Sequence, residues 1–169
     1  LFNKEFDIAR HVTLGAGDIA GFRLPGHEEA NELVFINGAY TPALSVVRSK
    51  ELDVLSLQDA AADKRFEGIV SKNLGQSGRY VKDGIHALNT AFMEEGIFVH
   101  VKKGKTAEHP VYIYNITDAR TANILSQPRS LFHIAENSEV QIVETYATLG
   151  LCESFTNQVM EAVVERDAR

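Results

Sequence analysis

Two histidines, His100 and His133, occupy similar places in two successive stretches of the sequence and are candidates for chemistry. Imidazole binds metal ions, and its charge changes near neutral pH. If the two stretches stack, the side chains approach one another, and the pair either binds a metal ion or titrates near neutrality. Histidines at such positions also cover the outer face of a sheet, and this structural role is the alternative.

The other histidines, the cysteine and a short glycine–lysine motif give weaker signals. No two of the six histidines have the four-residue spacing of a helical zinc site, and there is no Cys-x-x-Cys. Gly104-Lys105-Thr106 lacks the upstream glycine of a phosphate loop, since Val99 stands there, so we expect a solvated turn without ATPase activity. Cys152 has no histidine nearby in sequence and is expected to be inert. The remaining histidines are His11, His27, His86 and His109.

Carboxylates in the C-terminal part have the residue type that an acid–base pair for glycoside chemistry requires. They are Glu136, Glu139, Glu144, Glu161, Glu165 and Asp167. Charged turns of a stacked β structure would contain the same residues. We therefore assign no catalytic, cofactor-binding or metal-binding residue from the sequence.

The composition of the 169-residue chain is that of a globular domain, with 44% hydrophobic and 24% charged residues. A formal net charge of −6 disfavours nucleic acid as a partner. The sequence contains no apolar run of membrane-spanning length and no leader resembling a signal peptide. One cysteine allows no internal disulfide, which fits the cytoplasm.

The chain divides into three parts by its periodicity. Residues 1–32 are broken by glycines and read as an irregular approach segment, the end of a truncated N-terminal region. Residues 33–96 combine a hairpin with short helices, because Asn37-Gly38 is a strong hairpin signal and Ser56 begins a capping box. Gly75 is the expected stop of the second helix.

The third helix of this part is predicted over residues 84–95. Ile85, Leu88 and Phe92 form its apolar stripe, and we expect Phe92 to be a core anchor. Gly96 is the expected stop at the point where the rhythm changes to that of a strand.

Residues 97–169 contain a repeating strand–turn–strand unit of about thirty residues, with starts at Ile97, Leu131 and Met160. The fold class expected is therefore mainly β: a right-handed parallel β-helix, or single-stranded solenoid, preceded by a small α/β segment. A two-sheet sandwich or jelly roll is the alternative. In a solenoid, Val159, Ala162 and Val164 would lie at an open edge, which is expected either to fray or to pair with a second copy.

Several motifs in order give a resemblance to a known family. They are Ala87-Leu88-Asn89 with Ala91-Phe92, Pro128-Arg129, Asn137, and Phe155-Thr156-Asn157. This succession resembles the SufB/SufD family of iron–sulfur cluster assembly proteins, and its SufD branch most closely, over nearly the whole chain.

The resemblance implies a cytoplasmic, non-catalytic scaffold that pairs with a SufB-like subunit and the ATPase SufC, with a parallel β-helix core. The cluster itself would be assembled by the full complex, and the chain would bind no cofactor of its own. The histidine attributed to cluster assembly in SufD lies outside the matched stretch, so neither His133 nor Cys152 inherits that role. The residues alone leave a second hypothesis, a β-solenoid hydrolase or lyase acting on carbohydrate.

Overall fold

The computed structural model describes residues 4–8, 14–92 and 96–169. Within these ranges there are ten strands, four α-helices and three short 3-10 turns. The strands are β1 (Asn31–Ile36), β2 (Ala39–Tyr40), β3 (Leu52–Ser56), β4 (Ile97–Val101), β5 (Val111–Ala119), β6 (Ile124–Ser126), β7 (Arg129–Ile134), β8 (Ile142–Gly150), β9 (Ser154–Thr156) and β10 (Val159–Val164). The helices are α1 (Ala16–Ile19), α2 (Leu57–Ala62), α3 (Glu67–Asn73) and α4 (Gly84–Ala91), and the 3-10 turns are Ala20–Phe22, Pro42–Leu44 and Gln76–Arg79.

The described strands form two four-stranded sheets and one two-stranded sheet. The first sheet has the order β2-β1-β5-β8, the second has the order β10-β7-β4-β3, and β6 pairs with β9. Strands β2 and β3 are antiparallel to their neighbours, whereas all other pairs are parallel. Both large sheets are therefore open and of mixed orientation.

The expected right-handed parallel β-helix is wrong: the structure is a mixed α/β fold. The hairpin at Asn37-Gly38 brings β2 back antiparallel to β1, and β3 pairs antiparallel with β4. Helices α2, α3 and α4 fill the chain between β3 and β4. Repeat spacing identifies strands that lie side by side, with Ile97 and Met160 both opposite Ser130. It does not determine the direction of the edge strands or the closure of the sheets, and these decide the fold class.

The main apolar core lies where the two four-stranded sheets face each other. Its fully buried side chains come from β1, β4, β5 and β7, and include Phe35, Val99, Ile113 and Phe132. A second cluster lies on the opposite face of the β4–β7 sheet, where helices α2 and α3 cover Phe98 and Leu131. The two central strands of this sheet, β4 and β7, are therefore buried on both faces.

Three local predictions for residues 33–96 are confirmed. Asn37 and Gly38 form the β1–β2 turn with φ values of 50° and 86°. The Ser56 hydroxyl accepts a hydrogen bond from the backbone N–H of Asp59 at the start of α2. Gly75, two residues after the end of α3, has a left-handed φ of 79°.

Helix α4 departs from its prediction. Ile85 and Phe92 are exposed by 51% and 36%, so Phe92 is not a core anchor. The fully buried residue of α4 is the polar Asn89. The predicted end of the helix falls at residues 93–95, outside the described residues. Gly96 lies directly before β4, and a Cβ atom there would be only 2.7 Å from the carbonyl oxygen of Arg129. Glycine at this position therefore allows the chain to approach β7 closely.

Strands β8 and β10 lie at the edges of their sheets within the described part of the chain. Ala162 and Val164 of β10 are exposed, in contrast to the fully buried strand β7 beside it. Among the described residues, no helix is long and apolar enough to cross a membrane.

Candidate functional site

The face of strand β7 that points away from the main core and toward the helices carries two polar clusters, separated by one apolar residue. Arg129, Leu131 and His133 point to this face because side chains alternate along a strand. Leu131 packs beneath the helices. Arg129 and His133 each contact a carboxylate from the neighbouring chain segment, Glu161 in β10 and Glu165 directly after it. We call Arg129, Glu161, Ser77, Asn89 and Asn157 the arginine cluster, and His100, His133 and Glu165 the histidine chain.

The arginine cluster is built around a buried ion pair. Arg129 Nη2 donates to Glu161 Oε2 at 2.6 Å, and the two side chains are 0% and 8% exposed. The same carboxylate accepts from the backbone N–H groups of Gly75 and Ser77 and from the Ser77 hydroxyl, at 2.7–2.8 Å. All four donors converge on one carboxylate, which supplies the partners that a buried ion pair needs.

The pKa of Glu161 reports the balance between burial and these donors. Desolvation by burial acts to raise the pKa, but the hydrogen bonds from Ser77, Gly75 and Arg129 outweigh it. The pKa of Glu161 therefore lies below its usual value, and the carboxylate is ionised at neutral pH.

Two asparagines join the ion pair to helix α4. Arg129 Nη1 donates to Asn89 Oδ1 at 3.1 Å, and Asn89 Nδ2 donates to the carbonyl oxygens of Pro128 and Asn157 at 3.1 and 2.7 Å. Asn157 Nδ2 donates to the carbonyl oxygen of Ile85 at 2.8 Å. Helix α4 is thus attached to the sheet by buried amide groups and not by its apolar stripe.

The Ser77 hydroxyl also fixes the orientation of His86. The Ser77 hydroxyl has one proton, which it donates to Glu161, and its oxygen lies 2.9 Å from His86 Nε2. His86 therefore donates from Nε2–H. The 3-10 turn Gln76–Arg79 and helix α4 are held against the same carboxylate.

The histidine chain is a row of three hydrogen-bonded side chains across the sheet. His100 and His133 are register partners in β4 and β7, and their Nδ1 atoms are 2.9 Å apart. His133 Nε2 lies 3.1 Å from Glu165 Oε1. The predicted approach of the two histidines is confirmed.

The ring geometry identifies the contact between the histidines as an N–H···N hydrogen bond. The ring centroids are 5.1 Å apart and the planes are inclined by 23°. The distance between the ring centroids equals the distance between the two Nδ1 atoms plus about one ring radius for each imidazole. Both Nδ1 atoms therefore lie near the line that joins the two ring centres. If the two Nδ1 atoms bound one metal ion, their lone pairs would both point at the ion and not at each other. Among the described residues, no group of three or more His, Cys, Asp or Glu side chains is arranged to hold a metal ion.

The surroundings of His100 are partly aromatic and partly charged. The Phe66 ring centroid lies 5.3 Å from that of His100, and the Arg65 guanidinium covers Phe66 at 4.7 Å. Asp53 is the register partner of His100 in β3. Burial lowers the pKa of His100 below its ordinary value, and the neighbouring His133 lowers it further, while Asp53 opposes the shift.

The other residues singled out in the sequence are dispersed. Gly104 has a left-handed φ of 68° in the turn between β4 and β5, which is the strand–turn–strand context predicted for Lys105. Cys152 is partly buried, and its backbone N–H donates to Ala119. His11 lies outside the described residues.

The carboxylates considered for glycoside chemistry are each paired, and Glu136 and Asp167 share Arg166. Glu136 pairs with Lys103 and Arg166, Glu139 with Arg169, Glu144 with Asn115, and Asp167 with Arg166, while Glu161 and Glu165 belong to the two clusters. Sequence reasoning did not find the Arg129–Glu161 pair. The available signal was a charged residue in each of two strand patterns, Glu161 within the otherwise apolar β10 and Arg129 at the start of β7, since such residues are seldom buried unless paired.

Comparison with known proteins places the chain in a family. The sequence profile described as SufBD protein N-terminal region matches residues 27–113. This range includes strands β1 to β4, helices α2 to α4 and the first part of β5, and so more than half of the chain. The chain therefore belongs to the SufBD family.

A curated relative supports this assignment. The iron-sulfur cluster assembly SufBD family protein of Synechocystis sp. strain PCC 6803 is 29% identical over 150 residues. The match covers 86% of this chain and 32% of the relative. The chain thus spans about a third of the length of the curated relative that it matches.

Proposed function

We propose that this chain is a non-catalytic scaffold component in the assembly of iron–sulfur clusters. Its membership of the SufBD family supports this, as does the name of its Synechocystis relative. Its proposed partners are a SufB-like subunit and a SufC-like ATPase, with which it would form a cytoplasmic complex. The resemblance to the SufD branch supports the proposal that this chain is the SufD-like member of the pair.

One observation carries the scaffold proposal most directly. Three of the residues on which the family resemblance rests, Asn89, Arg129 and Asn157, meet in the arginine cluster. They come from α4, β7 and the segment before β10, and hydrogen bonds join them to one another and to the backbone, although Arg129 Nε has no partner among the described residues. Residues used in this way define the position of a helix on a sheet. A family whose members function through their surfaces is expected to share residues that position its helices in this way.

The arrangement of carboxylates disfavours the carbohydrate-active alternative. A glycoside hydrolase needs two carboxyl groups about 5–10 Å apart across a substrate groove. The carboxylates considered for such a pair are bonded to arginine, lysine, histidine or asparagine partners, and Arg166 is shared between Glu136 and Asp167. Carboxylates engaged in this way are poor candidates for a general acid and its partner base.

Genetic complementation tests the function. In cells lacking the natural gene, we expect the activity of enzymes that contain iron–sulfur clusters to fall, and the intact gene to restore it. A copy with Arg129→Ala should fail to restore the activity, whereas Cys152→Ser should restore it fully. Undiminished cluster enzymes in cells lacking the gene would overturn the proposal.

Affinity purification of the natural full-length protein tests the partners. We expect SufB-like and SufC-like subunits to co-purify with it, and ATP hydrolysis to follow the SufC-like subunit. Recovery of the protein without either subunit, in cells that express both, would refute the proposed complex.

A further inference from the structure

The histidine chain has a consistent proton arrangement that follows from its two hydrogen bonds. His133 Nε2 faces the Glu165 carboxylate, which only accepts, so this nitrogen carries a proton. With both rings neutral, His133 Nδ1 is then an acceptor, and His100 must donate from Nδ1–H. His100 Nε2 is left with a lone pair in this state.

One further proton fits this arrangement without breaking either bond. It enters at His100 Nε2, and the charge then resides on His100, or on His133 if the shared proton moves from His100 Nδ1 to His133 Nδ1. The second location places the positive charge directly beside Glu165, at 3.1 Å. A proton taken up by the half-buried His100 is thereby stabilised by a carboxylate that does not contact His100.

A second further proton does not fit. With both rings charged, both Nδ1 atoms carry protons and face each other at a distance at which one must accept. The two imidazoles must then separate. The pair therefore titrates in two coupled steps, the second of which opposes the closed geometry.

Strand β10 ends at Val164, directly before Glu165, which is the third member of the histidine chain. Glu165 is attached to the body of the protein by three hydrogen bonds. Its backbone N–H donates to Ile134 at 3.0 Å, its Oε2 accepts from the N–H of Glu136 at 3.1 Å, and its Oε1 lies against His133. The end of β10 is partly exposed, in contrast to the buried strand β7 beside it.

We propose that His100, His133 and Glu165 form a proton-controlled clasp that fastens the end of β10 to the middle of its sheet. The clasp is closed while the two imidazoles share a proton, and it opens when both are charged. The charged groups around it are Asp53 on β3, Lys102 beyond β4, Arg65 before α3 and Glu136 in the turn after β7. Asp53 and Glu165 favour the first proton, whereas Lys102 opposes it.

The depressed pKa of His100 agrees with this geometry. The folded state takes the last proton at a lower pH than the unfolded chain does, so acid favours the open state. The opening equilibrium linked to one proton changes by about tenfold per pH unit over the range of uptake.

Nuclear magnetic resonance of the intact chain tests the closed state. Long-range ¹⁵N–¹H correlations at pH 8 should show His100 protonated at Nδ1 and His133 protonated at Nε2. On acidification the two rings should titrate in two coupled steps. Two independent rings, each protonated at Nε2 with an ordinary pKa, would overturn the proposal.

Hydrogen exchange, corrected for intrinsic rates, tests the opening. Between pH 7.5 and 5 we expect protection of the Glu136 and Glu165 amides to fall by about tenfold per pH unit once the second step begins. The Gly75 and Ser77 amides, which bind Glu161, should be unaffected over this range.

Variants separate the clasp from general acid effects. His100→Gln should remove the pH dependence at Glu136 and Glu165, while His109→Gln, at a histidine before β5, should leave it as in the wild type. If His100→Gln does not fold, Glu165→Gln provides the test, since it keeps an acceptor but removes the charge. It should shift the first titration step to lower pH. A wild-type response in His100→Gln, or unshifted steps in Glu165→Gln, would refute the clasp.

Discussion

Arg129 and His133 lie four residues apart on the same face of one strand, and each contacts a carboxylate from the next segment of the sheet. The guanidinium is always charged, and its cluster is buried except for the partly exposed Ser77. The imidazole changes its charge near neutral pH, and its chain leads to an exposed strand end. The same geometric device therefore gives a permanent attachment at one place and a pH-dependent one at the other.

The difference follows from what surrounds each carboxylate. Glu161 accepts four hydrogen bonds and is 8% exposed, whereas the Glu165 side chain is 44% exposed. Desolvation makes the loss of a partner costly at Glu161, while water replaces a lost partner at Glu165. We expect variants in the arginine cluster to alter stability strongly, and variants in the histidine chain to alter its pH dependence.

The largest effect is expected from Arg129→Ala. Removing the guanidinium leaves Glu161 buried without its counter-charge, which costs about 3–5 kcal/mol of unfolding free energy. Urea denaturation at pH 7.5 measures this cost. Arg65→Ala is a control, because Arg65 is 63% exposed and solvent screens its pairing with Asp63. Similar costs for the two substitutions would contradict the special status of the buried pair.

Asn89→Ala should rank next, at about 2–3 kcal/mol, because it leaves the carbonyl groups of Pro128 and Asn157 without their buried donor. Phe92→Ala, directly after the same helix, should cost about 1 kcal/mol or less, because its side chain is 36% exposed. Thermal or urea unfolding of both variants decides between polar and apolar attachment of α4. The opposite order would mean that the apolar stripe docks the helix after all.

Glu161→Gln should cost about 2 kcal/mol at neutral pH, since its hydrogen bonds are made to a charged acceptor. The pKa of Glu161 is lowered in the folded state, so its contribution is present above the unfolded pKa. That contribution is lost as the pH falls through the lower folded value. Unfolding free energies measured from pH 6 to pH 3 should therefore fall less steeply in Glu161→Gln than in the wild type. Parallel curves would show that Glu161 is not the group responsible.

A small effect at neutral pH is also expected from His100→Gln, at about 1 kcal/mol. The pKa of His100 is lowered in the folded state, so the unfolded chain takes up this proton first as the pH falls. Wild-type stability should therefore decline as the pH falls below about 6.5, the ordinary pKa of histidine, and this decline should level off below the folded value. Unfolding curves between pH 8 and 5 should show a weaker decline in the variant. A steeper decline in the variant would contradict the proposed sharing of one proton.

Local signals in the sequence were sufficient for local structure. Asn37-Gly38, the Ser56 cap and Gly75 each act through a few neighbouring backbone bonds, and each was predicted correctly. The approach of His100 and His133 was also predictable, because the repeats place the two residues in register. Sheet closure and the antiparallel edge strands depend on contacts distant in sequence, and periodicity contains no information about them.

The arginine cluster shows why the site was only partly predictable. An apolar stripe on α4 suggested that Phe92 was buried, whereas the helix is rotated so that Asn89 faces the sheet. Asn89 is favourable there only because Arg129, Pro128 and Asn157 supply partners from segments about 40–70 residues away. A helical wheel cannot include those partners. The family motifs did contain them, although as separate tripeptides without an indication that they meet.

A double-mutant cycle on Arg129 and Glu161 tests most directly whether the family residues are held together by one buried ion pair. Arg129→Met, Glu161→Leu and the combined variant should be compared by urea denaturation at pH 7.5. Each single substitution leaves a buried charge, whereas the double variant leaves none, so we expect a coupling energy of about 2 kcal/mol or more. A coupling within about 0.5 kcal/mol of zero, the value for independent sites, would contradict the account.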